Sequence, residues 1–164
     1  MKPTILSLCL ITILSYVILS VAGAGELYPI PQSTHIDKND TFRDSLIEFA
    51  KYIGVCDLAV MYSQFAIESA YGTSVLAKRH NNLFAMRYPR KRYTTALYET
   101  RSKYSHYDTW QSSVVDYHLW IGSVCDCCST RPQLIHCIGK HYAEDRRYVA
   151  KMQLLIDRFE NTVN

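Results

Sequence analysis

The chain has no internal repeat, no low-complexity tract and no shift from one composition to another. Solenoid, propeller and array architectures are thereby set aside, and a single domain is expected. It also lacks a strong charge of either sign. Its 18 Lys and Arg stand against 15 Asp and Glu, for a net charge of +3. That excess is too weak to point to nucleic acid, although it suits a mildly anionic surface. The cysteines lack the two C-x-x-C pairs of common zinc modules, so no metal and no other cofactor is expected.

A long apolar run is present in one place only, Ile5–Val21. It follows Met1 and Lys2 and closes on Ala22-Gly23-Ala24. A basic start, an apolar middle and an A-x-A close make a secretory signal over residues 1–24, with cleavage before Gly25. The run is also long enough for an uncleaved membrane anchor, and the small-residue close favours cleavage. The expected product is periplasmic or secreted, monomeric and without a stable membrane insertion. Residues 25–41, with Pro29 and Pro31, read as an N-terminal arm.

Five cysteines follow the signal: Cys56, Cys125, Cys127, Cys128 and Cys137. Export permits disulfides, and four of the five lie within Cys125–Cys137, so at least one local bridge is expected. The pairing stays open, and the odd count leaves a thiol or a link to another chain. A secreted, disulfide-stapled interaction module is one reading of this cluster. It does not explain the stretch Gln64–Arg87.

Helical periodicity accounts for most of the rest. Phe42, Leu46, Phe49 and Ile53 share one face of a first helix that Gly54 ends. Asp57 suits the N-cap of a second helix carrying Leu58, Met61 and Phe65. Thr109 caps a helix whose core face is Val114, Tyr117, Ile121 and Val124. Pro132 opens a short helix around Leu134–Ile138, and Tyr148, Met152, Leu155 and Phe159 space a last one. Between them, Tyr93–Tyr98 suits a short strand, with Lys103–Tyr107 returning beside it as a hairpin.

Glu68 falls in the last turn of the second helix, ahead of a break at Gly72 and Thr73. The helix dipole gives an anion nothing there. Shielding by Tyr71 and Phe84 would disfavour its charge, raise its pKa and suit it to donate a proton near neutral pH.

Glu68-Ser-Ala-Tyr-Gly-Thr-Ser, then Leu76-Ala77, then Asn81-Asn82-Leu83-Phe84-Ala85-Met86-Arg87 resembles the signature of the bacterial glucosaminidase family. Its best-known branch is glycoside hydrolase family 73, with autolysin domains, flagellar peptidoglycan hydrolases and Bax-like proteins. The family pattern is close to E-S-G-W-G-x-S-x-L-A, a gap, then N-N-L-F-G-I-K. Here Ala70 and Ala85 stand for glycines, and Tyr71 stands for Trp. Two further stretches, Tyr104–Tyr117 and Tyr142–Tyr148, resemble later family motifs in the same order.

The resemblance implies a mainly α, lysozyme-like domain over residues 42–164 with a small β-hairpin lobe. It implies an endo-β-N-acetylglucosaminidase that cuts β-1,4 bonds in peptidoglycan strands. Glu68 would be the general acid. Glu99, in the hairpin region, would be the second carboxylate, unless the substrate's own acetamido group attacks. Tyr71, Asn81, Asn82, Phe84, Tyr107 and Tyr142 would bind or shape the cleft. Cleavage on the muramic acid side, by hydrolysis or lytic transfer, and a non-catalytic wall-binding scaffold remain alternatives. The scaffold reading draws on Ala70 and Ala85, which would alter the backbone path wherever a positive φ is needed.

Overall fold

The computed structural model describes residues 40–126, 128–142 and 145–163. The signal, the arm before residue 40 and Cys127 lie outside the described residues. Helix α1 (Asp40–Tyr52) buries Leu46 and Ala50 completely and lays Phe42, Phe49 and Ile53 against the same core. Gly54, at φ +78°, ends it. The Gly54 and Val55 N–H groups reach back to the carbonyls of Lys51 (3.0 Å) and Ala50 (2.9 Å), the paired closure of a helix that stops on glycine.

Helix α2 (Leu58–Ser69) is the central element. The Asp57 carboxylate caps it, accepting from the Val60 N–H at 3.1 Å. Eight of its twelve residues are buried, among them Val60, Met61 and Phe65, so it is enclosed rather than laid on a surface. Helix α3 (Val75–His80) follows a tight elbow and is capped by Ser74.

Strands β1 (Tyr98–Glu99) and β2 (Ser105–His106) pair antiparallel, with Tyr98 opposite His106 and Glu99 opposite Ser105. The expected strand over Tyr93–Tyr98 is therefore cut to its last residue plus Glu99. Just ahead of it the Leu97 N–H still donates to the His106 carbonyl at 2.9 Å, and the part farther upstream is fastened to a helix. Arg92 pairs with Asp116, and the Thr95 hydroxyl donates to the Ser112 carbonyl at 2.6 Å.

Helix α4 (Trp110–Val124) starts on Thr109 and buries Val114, Tyr117 and Ile121. Helix α5 (Arg131–His141) is joined to the end of α4 by a Cys125–Cys137 disulfide, which gives the expected local bridge its partners. Helix α6 (Tyr148–Val163) packs most extensively on α2. It buries Tyr148, Met152 and Ile156 rather than the expected Leu155. Leu155 lies on the same broad stripe but is only partly buried, and Ile156 beside it takes the fully covered position. At the far end of α2, Arg131 donates to Asp57 and to Glu160, both at 2.5 Å, tying the starts of α2 and α5 to the end of α6.

The architecture is mainly α with a small two-stranded lobe, a lysozyme-like helical domain. Among the described residues, no helix is long and apolar enough to cross a membrane.

Candidate active site

The second helix ends where the chemistry can begin. Glu68 lies in the last turn of α2 and is partly buried. Its Oε1 accepts a hydrogen bond from the Tyr148 hydroxyl at 2.7 Å. Burial raises its pKa, and the Tyr148 hydrogen bond opposes part of that rise. A carboxyl held toward its neutral form is equipped to give a proton to a leaving oxygen. The side chain in direct contact with the carboxyl is that of Tyr148; Phe84 stacks on Tyr117, with centroids 4.3 Å apart, and Tyr71 is 46% exposed.

Behind Glu68 runs a buried line of polar groups. Tyr148 accepts from Gln64 Nε2 at 3.2 Å, and Gln64 Oε1 accepts from the Tyr117 hydroxyl at 2.6 Å. Gln64 and Tyr117 are both shut off from solvent. Gln64 is one helical turn before Glu68, so the two side chains share a face of α2.

After Ser69 the chain turns sharply. Ala70 (φ +49°), Tyr71 (+56°) and Gly72 (+79°) are all left-handed. The Ser69 hydroxyl accepts the Gly72 N–H at 2.8 Å, and the Thr73 hydroxyl donates to the Ala70 carbonyl at 2.7 Å. Ala85 is also left-handed, at φ +48°. The two positions where the family pattern has glycine thus keep the glycine-type backbone and carry a β-carbon in it. Left-handed alanine costs about 1–2 kcal/mol, part of which glycine returns through its freer unfolded chain. Ala70→Gly and Ala85→Gly are each expected to stabilise the protein by about 0.5–1 kcal/mol in urea unfolding.

The remaining expected site residues divide by exposure. Asn82, Phe84 and Tyr107 are fully buried. The Asn82 amide donates to the Met86 and Ser105 carbonyls and accepts from the Met86 N–H, all at 2.9 Å, which closes the loop after α3. Asn81 donates to the Tyr107 and Asp108 carbonyls at 3.1 and 2.9 Å. Both asparagines are thus committed to holding the loop against the hairpin. Tyr107 donates to Asp116 at 2.6 Å. Tyr142 donates to the Phe84 carbonyl and lies edge-on to Trp120 at 4.9 Å. Its ring also stacks on Tyr148 at 6.3 Å, which puts it beside the Glu68 line. Glu99, on β1, takes both oxygens to Arg90 at 2.8 Å, an ion pair on the lobe and separate from the Glu68 line.

Sequence reasoning did not single out three of these groups for the site. Tyr117 and Tyr148 sit inside the later motifs but read there as core spacing. Gln64 gave only its four-residue offset from Glu68. The sulfurs of Cys125, Cys128 and Cys137 lie within 4.8 Å of one another. Two of the three form the disulfide, which leaves them no thiolate to offer a metal. A pocket lined by Asp57, Leu58, Arg131 and Glu160 lies at the start of α2, the opposite end from Glu68.

A family model described as mannosyl-glycoprotein endo-beta-N-acetylglucosaminidase matches residues 43–161. No curated protein sequence matches the chain. Among solved structures, the catalytic domain of the autolysin Auto from Listeria monocytogenes is 20% identical, covering 98% of this chain and 98% of its own, at a TM-score of 0.51. The glycoside hydrolase domain of FlgJ from Salmonella typhimurium is 18% identical, covering 73% of this chain and 84% of its own, also at 0.51. A type VI secretion system effector–immunity complex from Pseudomonas protegens contributes a chain 19% identical, with coverages of 72% and 90% and a TM-score of 0.54. At these identities the likeness is one of fold.

Proposed function

The chain belongs to the mannosyl-glycoprotein endo-beta-N-acetylglucosaminidase family and is a glycoside hydrolase, and from that premise we propose that it cuts the β-1,4 bonds of peptidoglycan after N-acetylglucosamine, with Glu68 as general acid. The observation that carries this is the Glu68 carboxyl itself. It is desolvated, held by Tyr148, and set at the left-handed elbow where α2 stops. Such an acid protonates the bridging oxygen as the glycosidic bond breaks and positive charge develops at the anomeric carbon. Tyr71, half-exposed on the elbow, contacts the glycan, and Tyr142 lines the cleft beside the acid. Asn81, Asn82, Phe84 and Tyr107 shape the walls from behind.

Glu99 is the second carboxylate in this reading, and Arg90 fixes its direction. The protein acts outside the cytoplasm, delivered by the signal in residues 1–24. The left-handed alanines support an active cleft over a scaffold, since the backbone keeps its path without the glycines.

Digestion of purified peptidoglycan tests the bond. Released fragments are reduced with borohydride and their ends identified by mass spectrometry. Ends in reduced N-acetylglucosamine are expected. Muramic ends, reduced or anhydro, would move the cut to the other linkage. Binding without release would favour the scaffold. In the same assay Glu99→Gln is expected to lose about 10²-fold. Near-full activity in that variant would hand the attack to the substrate's acetamido group.

A further inference from the structure

We propose that Gln64, held in place by Tyr117, is a positioning residue for the reaction: it makes the Tyr148 hydroxyl donate to Glu68, so the strength of the acid is set from behind the cleft. The inference rests on Glu68 being the acid.

The argument is a count of protons. Tyr117 and Tyr148 each carry one hydroxyl proton, and the Gln64 amide carries two protons on nitrogen and none on oxygen. Glu68 Oε1 lies 2.7 Å from the Tyr148 hydroxyl; in the carboxylate it can only accept, and in the neutral acid it accepts as well when the transferable proton is carried on Oε2. Tyr148 must therefore send its proton there and take its own hydrogen bond from Gln64 nitrogen, 3.2 Å away. The opposite amide orientation would turn Gln64 oxygen on Tyr148 and compete with Glu68 for that proton. Tyr117 decides between the two. Its hydroxyl, 2.6 Å from the far end of the amide, has a proton to place and needs an oxygen there. Every donor in the line then points the same way, from Tyr117 through Gln64 and Tyr148 to Glu68. Bonds aligned head to tail polarise one another, so each makes the next a better donor.

The burial of Gln64 supports a directing role. A fully buried primary amide is costly unless its groups are paired, and an apolar side chain would fill the same space in α2 at less cost. What an apolar side chain cannot do is orient a neighbouring hydroxyl. The line also acts on the two forms of Glu68 unequally. A hydrogen bond received from Tyr148 is stronger for the carboxylate left after proton transfer than for the neutral acid. Weakening it makes Glu68 hold its proton more tightly.

The test uses the full chain with Gln64→Leu, Tyr117→Phe and Tyr148→Phe, each checked for wild-type circular dichroism. The first readout is the pH profile of peptidoglycan clearance. The alkaline limb, where the acid loses its proton, is expected to move up by about 0.5–1 pH unit in Gln64→Leu. Tyr148→Phe moves it further, and Tyr117→Phe moves it less but in the same direction. The second readout is NMR titration of the carboxyl carbon of Glu68, identified by its absence in Glu68→Gln, and it needs no activity. If Gln64→Leu does not fold, Tyr117→Phe carries the test, since it removes one oxygen. A limb and a carboxyl titration unmoved in the folded variants, or moved downward, would overturn the inference while leaving Glu68 as the acid. Full activity in Glu68→Gln would instead overturn the assignment of the acid, and the carboxyl titration would still judge the line.

Discussion

Glu68→Gln should abolish most glycan cleavage, with a loss of about 10²- to 10⁴-fold, the usual worth of a positioned general acid. The amide keeps the size of the carboxyl and still accepts from Tyr148, so the elbow and the cleft stay in place. What disappears is the transferable proton. The same variant should be at least as stable as the wild type near neutral pH. Burial raises the pKa of Glu68 in the folded protein, so folding favours its protonated form. Stability from that group is fully present below its unfolded pKa and is lost as pH rises through the folded value. Glutamine carries no such dependence. Thermal melts at acid and neutral pH should therefore show the variant gaining on the wild type as pH rises, while fragment release falls. A variant that clears peptidoglycan at the wild-type rate would remove Glu68 from the mechanism.

The second large effect is on stability. Asp116→Ala should cost about 3–5 kcal/mol, the usual consequence of stripping one partner from a buried charge pair. Asp116 is completely buried on α4. Arg92 reaches its two oxygens at 2.5 and 3.1 Å, and the Tyr107 hydroxyl donates to one of them at 2.6 Å. Removing the carboxylate leaves a guanidinium that is mostly buried and a buried hydroxyl without an acceptor. It also releases the segment ahead of β1 from the helix. Urea unfolding measures the loss. Asp116→Leu combined with Arg92→Met should lose less than Asp116→Leu alone, because no charge is then left uncompensated. Equal losses would mean that the pair contributes only as packed volume.

What could be read beforehand was whatever is written in local spacing. Asp57 and Thr109 announce helix starts because a capping carboxylate or hydroxyl bonds within three residues of itself. Glu68 at the end of α2 and the hairpin before α4 followed from periodicity and from the ordered motifs. The groups that escaped depend on contacts across the chain. Gln64 is separated from Tyr148 by 84 residues and from Tyr117 by 53. Neither separation leaves a trace in a periodic pattern, where tyrosines at core spacing look like any other core residues. The short strand was overextended for a similar reason. Thr and Tyr suit a strand, but the ties from Arg92 and Thr95 to α4 took the backbone elsewhere. The cysteine pairing also needed three dimensions, since spacing within a crowded cluster allows several bridges.

The bridge between Cys125 and Cys137 has a consequence under limited proteolysis. It closes a ring in the chain upstream of α6. A single cut anywhere inside that ring breaks the polypeptide without separating its halves. The downstream piece carries Tyr148 and so the hydroxyl that holds Glu68. A nicked molecule would thus run as one band without reductant and as two with it, and would keep its acid in place until the sulfurs part.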